Sequence, residues 1–322
     1  MKRREIAVLG ATVMALPIRL AAQHTRMARL GILRDGPRDV STEAMIKRLG
    51  QLGWVEGNNL VIEFRTLDYE LKQSAAMVKE LVQLKCDVIQ TYGTPAAMAV
   101  KANAPEVATV FVIGGDPIGL GLVSTLSRPG GNATGFMQLS QQIILKQFSL
   151  LRDLTPTATR IAVMFEAGNP SMMEGVQTLK TAASAVGIAV EPMPLRDYKD
   201  VEAAYLKLQG GSVEGVLVMF DRITGRYAPR IVGFASQLRL PAVHGSRHFS
   251  EAGTAVSYGI DWPALVVLSA DYVARILGGT KPADLPVQQV AQFGLILNLA
   301  AARMQGLSIP QSVLLQATEV IQ

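Results

Sequence analysis

The sequence predicts an α/β protein of two doubly wound, Rossmann-like lobes joined by a hinge of several crossings. Three observations predict it. Aliphatic, β-branched runs bounded by glycine alternate with helical segments four times between Arg29 and Gly115, and such alternation implies a parallel sheet covered on both faces. The alternation then restarts near Ile143 and runs through four more strands to His244. Finally, 322 residues with 49% hydrophobic and 18% charged side chains are enough for two compact domains, each with its own core.

Taken in order, Arg29 to Leu33 reads as the first strand, followed by a polar loop, Arg34-Asp35-Gly36-Pro37. Residues 42 to 52 place Met45, Ile46, Leu49 and Leu52 on one helical face. Leu60 to Arg65 is the second strand, 71 to 84 a helix, and 87 to 92 the third strand. Gly93-Thr94-Pro95 then opens a helix reaching about Asn103. The stretch from Val107 to Gly135 organises this half. Its run to Ile113 has the unbroken apolar character of a buried parallel strand, and Asp116-Pro117 reads as the cap and first residue of another helix.

In the second half, helices are expected at 143–154, 172–186, 201–209 and 231–238, and strands at 160–165, 188–193, 215–220 and 241–244. A link between the lobes is expected near Asn132 to Met137. The remaining pieces are a strand at 254–258, a helix at 263–277, a strand at 293–297 and a helix at 299–305. They read as returns to the two lobes, which makes a hinge of several parallel crossings. The expected division is 1–27 as leader and start of the mature chain, 28–135 with 257–285 as the first lobe, and 136–256 with 286–322 as the second.

The N-terminus combines basic MKRRE, a short apolar run and the small-residue stretch Ala21-Ala22, the pattern of a secretory leader, and paired Arg3-Arg4 suits the twin-arginine route. A periplasmic location follows as the expectation. Residues 1 to 22 carry +3 of the formal charge of +5, which leaves +2 on the rest. That balance, with no basic run interleaved with aromatics, argues against nucleic acid as a partner. No stretch is long and apolar enough for a membrane span, so an integral membrane protein is not expected. Cys86 is the only cysteine, which excludes an intramolecular disulfide or a thiolate cluster within one chain.

Chemistry-bearing motifs are sparse. Thr94-Pro95, Asp116-Pro117 and Asn169-Pro170 each set a capping residue before proline just after a strand, where helix N-terminal amides can hold an anion. Capping alone also explains these residue types; three at one sheet edge favour a ligand. Thr94 adds a hydroxyl donor for a carboxylate, whereas Asp116 suits an amine or hydroxyl. No G-x-G-x-x-G follows the first strand and no phosphate-binding P-loop is present, so no nucleotide and no other cofactor is expected. His244 and His248 are four apart without an evident third ligand, so no metal is expected either. Ser246 lies near them without the G-x-S-x-G frame of a hydrolase, and no catalytic residues are assigned.

Several pieces carry a resemblance: GWVEGNNLVIEFR (53–65), LKCDVIQTYGTPAA (84–97), GDPIGLGLVSTLSRPGGNATG (115–135), SYG (257–259), GGTKPADLPVQQ (278–289) and NLAAARMQGLSIPQSVLLQATEVI (298–321). Together they resemble the TrpX-like ABC-transporter substrate-binding protein family. The resemblance implies a type I periplasmic-binding-protein fold, a small-molecule ligand delivered to the membrane permease of an ABC transporter, a monomer, and no catalytic turnover. Carried over by position, it implies ligand-facing loops at Arg34 and Asp35, Gly93 and Thr94, Gly115 and Asp116, Phe165 with Asn169, Phe220 and Asp221, and Tyr258. In that reading Thr94 holds a carboxylate, Asp221 meets an amino group, and Phe220 and Tyr258 stack on an apolar or aromatic ligand. The chain departs from the family at Arg34-Asp35-Gly36-Pro37-Arg38-Asp39, where a Ser- and Gly-rich loop is usual, and at Val290-Ala291-Gln292-Phe293-Gly294. Arg34 offers a bidentate carboxylate grip, which leaves open whether it or Thr94 holds the ligand and widens the choice from amino acids to organic or aromatic acids. The expected function is therefore an extracytoplasmic solute-binding protein. An enzyme on a doubly wound scaffold and a ligand-sensing domain of a receptor are the alternatives.

Overall fold

The computed structural model describes residues 27–67, 71–138, 140–290 and 293–322. The expected leader, residues 1–22, lies outside the described residues.

The first sheet is built from β1 (Ala28–Arg34), β2 (Leu60–Thr66), β3 (Val88–Tyr92), β4 (Ala108–Ile113) and β5 (Ala133–Gln138). Helices α1 (Val40–Gln51), α2 (Ser74–Gln83) and α3 (Thr94–Asn103) connect the first four strands. The second sheet takes β6 (Arg160–Glu166), β7 (Ala189–Leu195), β8 (Val216–Val218), β9 (Ala242–His244) and β10 (Val256–Ile260). Around it lie α4 (Ser140–Leu154), α5 (Pro170–Ser184), α6 (Tyr198–Gln209), α7 (Arg222–Arg226), α8 (Ala228–Leu238) and α9 (Arg247–Glu251). After α10 (Trp262–Leu277), the chain adds β11 (Gln288–Val290) to the first sheet. β12 (Phe293–Asn298), α11 (Leu299–Gln305), α12 (Gln311–Leu314) and β13 (Glu319–Ile321) complete the second lobe.

The strand order is β11-β5-β4-β3-β1-β2 in the first sheet, parallel throughout, and β13-β12-β10-β9-β8-β6-β7 in the second, where only the β10–β12 pair is antiparallel. The order in which strands are added reverses between β1 and β3 in the first sheet and between β6 and β8 in the second. At such switch points the connecting loops diverge to opposite faces and leave a crevice at the carboxyl ends. The central strands are apolar on both faces, as burial under helices on each side requires.

The lobe edges differ from those expected from the sequence. Ala133–Gln138 is not a link but the fifth strand of the first sheet, because its Phe136 and Met137 fill that lobe's core. Val256–Ile260 pairs with β9 and β12 and so belongs to the second sheet, while Gln288–Val290 pairs with β5 in the first. Helix α10 returns to the first lobe: Trp54 Nε1 donates to Ala274 O at 3.2 Å, and Arg48 pairs with Asp271 at 2.8 Å. The chain thus passes between lobes after β5, after β10 and after β11. The helix expected at Asp116-Pro117 is also absent. Asp116 caps Ile118 N and Gly119 N, both at 2.9 Å, but the turn closes at once through Leu122 N to Pro117 O at 2.8 Å. Gly119 and Gly121 fall where the next helical turn would have to start, and glycine is a weak helix former.

Candidate functional site between the lobes

The two switch points face each other, and their four loops supply most of the polar groups between the lobes. From the first lobe come Asp35 after β1 and Gly93-Thr94 after β3, with Gly115 after β4 beside them. From the second come Glu166 to Ser171 after β6 and Asp221-Arg222 after β8.

Thr94 is the most direct case. Gly93 holds φ +88° and ψ 150°, a conformation that glycine adopts readily and other residues do not, and this turn leads straight into α3. Thr94 is therefore the first helical residue rather than the cap, with its side chain 2% exposed. Its hydroxyl lies 2.9 Å from the hydroxyl of Ser171, across the cleft on the first turn of α5. Asn169 caps α5 as expected, accepting from Ser171 N at 3.2 Å. The N-terminal turns of a ten-residue and a fifteen-residue helix thus meet through two hydroxyls. Beside them, Gly115 approaches so closely that a Cβ there would stand 2.1 Å from Ser171 Oγ and 3.0 Å from Ser171 Cβ.

The charged groups are arranged differently from the expectation. The Arg34 fork already holds a carboxylate: Nη1 and Nη2 donate to the two oxygens of Asp39 at 2.7 and 2.8 Å, and Nη1 also donates to Thr42 Oγ1 at 2.6 Å. Burial works against the Asp39 charge, but the bonds from Arg34 and Thr42 N outweigh it and hold its carboxyl down to about 2. Arg34 therefore stiffens the loop after β1, and its Nε donates to Asp35 O at 3.1 Å. Asp221, likewise, is turned into its own lobe. It caps α7 through Ile223 N and Thr224 N at 2.9 and 2.8 Å and accepts from Glu166 N at 2.7 Å. Its expected bond to a ligand amine thus competes with donors already in place.

Glu166, which the sequence reading passed over for its neighbour Phe165, is fully buried and ion-paired with Arg222. It also accepts from Asn169 Nδ2 at 3.2 Å. Burial, with the Asp221 charge added, pushes the Glu166 carboxyl up to about 7 against the pull of Arg222. Arg222 in turn stands 3.9 Å from Asp35 on the other lobe, with both side chains nearly buried. Phe165 itself points into the second lobe's core.

Polar and apolar groups together line the inner end: Gln138, Ser140, Gln147, Met172, Met219 and Phe220 border a narrow, water-sized space near the crossings. Phe220 is half-buried, edge-on to Trp262 with centroids 6.1 Å apart. Tyr258 is half-buried where the cores of the two lobes meet, its ring 6.0 Å from that of Phe293. Asp116 is exposed at the outer rim, where it borders an open groove with Ser171 and Glu174. Ser171 and Arg222 each lie one or two residues from a position singled out in the sequence, and the proline after Asn169 was the available signal for Ser171.

Among the described residues no group of three or more His, Cys, Asp or Glu is placed to hold a metal, and no helix is long and apolar enough to cross a membrane. His244 is fully buried with Nδ1 2.7 Å from Thr254 Oγ1, and burial pushes its pKa down to about 3. Below pH 6.5 the unfolded chain therefore takes up a proton that the folded one refuses, and stability is lost as pH falls. The stability advantage of the native protein over His244→Asn should shrink by roughly 1.4 kcal/mol per pH unit between pH 6 and 4.5, measured by urea unfolding; a gap independent of pH would contradict a neutral buried His244.

Two α/β lobes, three crossings and a polar cleft between facing switch points are the architecture of a small-solute-binding protein. The chain belongs to the ABC transporter substrate binding protein family, whose model matches residues 30–321. The family's role is solute binding, not catalysis, and the fold is that of type I periplasmic binding proteins. The chain is 25% identical over 273 residues to a tyrosine-binding protein of Clostridioides difficile (strain R20291), covering 84% of this chain and 78% of that one. Among solved structures it is similar to a conserved domain protein from Vibrio cholerae O1 biovar El Tor strain N16961. Their TM-score is 0.84 at 26% identity, over 92% of this chain and all of that one. It is also similar to an ABC domain from Streptococcus pneumoniae in complex with L-Trp, with a TM-score of 0.79 at 25% identity over 91% of this chain and 99% of that one.

Proposed function

We propose that this chain is the exported, monomeric receptor of an ABC uptake transporter, and that it closes on an amino acid with an aromatic or large apolar side chain and presents it to a permease. The observation that carries the reading is the Thr94–Ser171 contact at 2.9 Å, which brings the first turns of two helices together across the cleft. Helix N-termini with a hydroxyl on each favour a carboxylate, and they need no lysine. The exposed carboxylates of Asp116 and Glu174, which border the same rim as Ser171, favour an ammonium group over a simple organic acid. Phe220, Trp262 and Met172 offer the apolar surface. The tyrosine- and tryptophan-binding relatives agree with that ligand class. The basic, then apolar N-terminus supports export to the periplasm.

The test is calorimetric titration of residues 27–322 with tyrosine, tryptophan, phenylalanine, leucine and their deaminated analogues, with the solute recovered and weighed chemically afterwards. One-to-one binding of the amino acids, weaker binding of the deaminated acids and unaltered solute are expected. Turnover of any solute, or no binding across the set, would overturn the reading.

A further inference from the structure

We infer that Arg222 is the latch of the closed protein: fixed to Glu166 in its own lobe, it faces Asp35 of the other, so that this contact slows reopening once a ligand is inside. The inference rests on the reading of the cleft as a site that closes on a solute. The geometry is that of two stiff halves and one breakable joint. On the second lobe, Asn169 Nδ2 holds Glu166, and Glu166 holds the Arg222 guanidinium at Nε. The backbone of Arg222 is set by a reciprocal cap: Asp221 accepts from Thr224 N, and Thr224 Oγ1 accepts from Asp221 N at 3.1 Å. On the first lobe, Asp39 holds Arg34, and Arg34 Nε holds the carbonyl of Asp35. Within this series of contacts, the 3.9 Å step between Arg222 and Asp35 is the one that runs from one lobe to the other. It is shielded, with 12% and 13% of the two side chains exposed, so salt screens it less than a surface pair.

This arrangement separates Arg222 from a merely structural ion pair. A structural pair stabilises the fold whether or not the lobes are closed. A latch forms after the ligand has docked, so its loss raises the release rate and leaves the association rate almost unchanged. It also shifts the empty protein, which samples the closed form more rarely without it.

The experiment compares native protein, Asp35→Asn, Asp35→Glu, Arg222→Gln and the double variant Asp35→Asn with Arg222→Gln. L-Tyrosine and L-tryptophan are the probes in stopped-flow release, and small-angle scattering is recorded on ligand-free protein. Asp35→Asn and Arg222→Gln are each expected to speed release about tenfold with association within about twofold, to show little further loss when combined, and to enlarge the mean radius of the ligand-free protein. Asp35→Glu should restore slow release. Equal losses in both rates, additive effects in the double variant, or no change in the ligand-free radius would overturn the latch. Failure of the native protein to bind either probe counts against the ligand reading alone, because the scattering comparison still decides the latch. Should Arg222→Gln fail to fold, Asp35→Asn and Asp35→Glu decide it, since Asp35 lies in a loop outside either core.

Discussion

Replacing Gly115 with alanine is expected to weaken ligand capture about 10- to 100-fold while leaving thermal stability of the empty protein nearly unchanged. Gly115 has a backbone that any residue could adopt, since its φ is not positive, so the substitution strains nothing within the first lobe. The obstacle is on the other lobe. An added Cβ would sit 2.1 Å from Ser171 Oγ, and even after that hydroxyl rotates, Ser171 Cβ remains 3.0 Å away. Contacts this short force the surroundings to shift, and overpacking of this size costs about 1–3 kcal/mol. Here the cheapest shift is for the lobes to stay apart, so the cost falls on closure rather than folding. Calorimetry with L-tyrosine or L-tryptophan should therefore lose affinity, and scattering should show a ligand-saturated protein less compact than the native one. Adding Ser171→Gly should restore the compactness seen by scattering, because it removes the two Ser171 atoms that the added Cβ would meet. Native affinity in Gly115→Ala alone would mean that the lobes do not close to this contact in solution.

Thr94→Val is expected to cost about 1–3 kcal/mol of ligand binding, because it keeps the shape and removes a buried hydroxyl that faces Ser171. Thr94→Ser should retain nearly all of it. The contrast isolates the hydroxyl from the methyl group, and calorimetry against an amino acid and its decarboxylated amine adds a second check. The loss should be large for the carboxylate-bearing solute and small for the amine. Equal losses for both would place the Thr94 hydroxyl outside the carboxylate grip.

The sheets were legible in the sequence because buried parallel strands and amphipathic helices leave strong local signals. Strands such as Val88–Tyr92 and Ala108–Ile113, and helices such as α4 and α10, lie within a few residues of their expected positions. Elements without such signals were missed. β11 and β13 are three residues each and owe their existence to a neighbouring strand's edge, and α7 is one turn held by the Asp221–Thr224 cap. The cleft loops were legible as loops, since each follows a strand and carries glycine, proline or a capping residue. Which side chain in each loop crosses the cleft was not. Arg34 looked like a ligand grip because its partner Asp39 is five residues on, in a stretch with no periodicity to place it. Asp221 looked like the partner of a ligand amino group because one of its donors, Glu166 N, comes from the end of β6, far away in the sequence. Both depend on contacts that only the folded chain brings together.

The three passages between lobes also dictate when this chain can finish folding. The first sheet lacks its outer strand until residues 288–290 exist, and the second lacks two strands until 293–321 do. Neither half is a contiguous gene segment, so a fragment ending near residue 255 would leave both unfinished and their apolar edges bare. Folding of both lobes must therefore wait until the residues near 320 have been made, and until then each half is an open sheet in search of its missing edge.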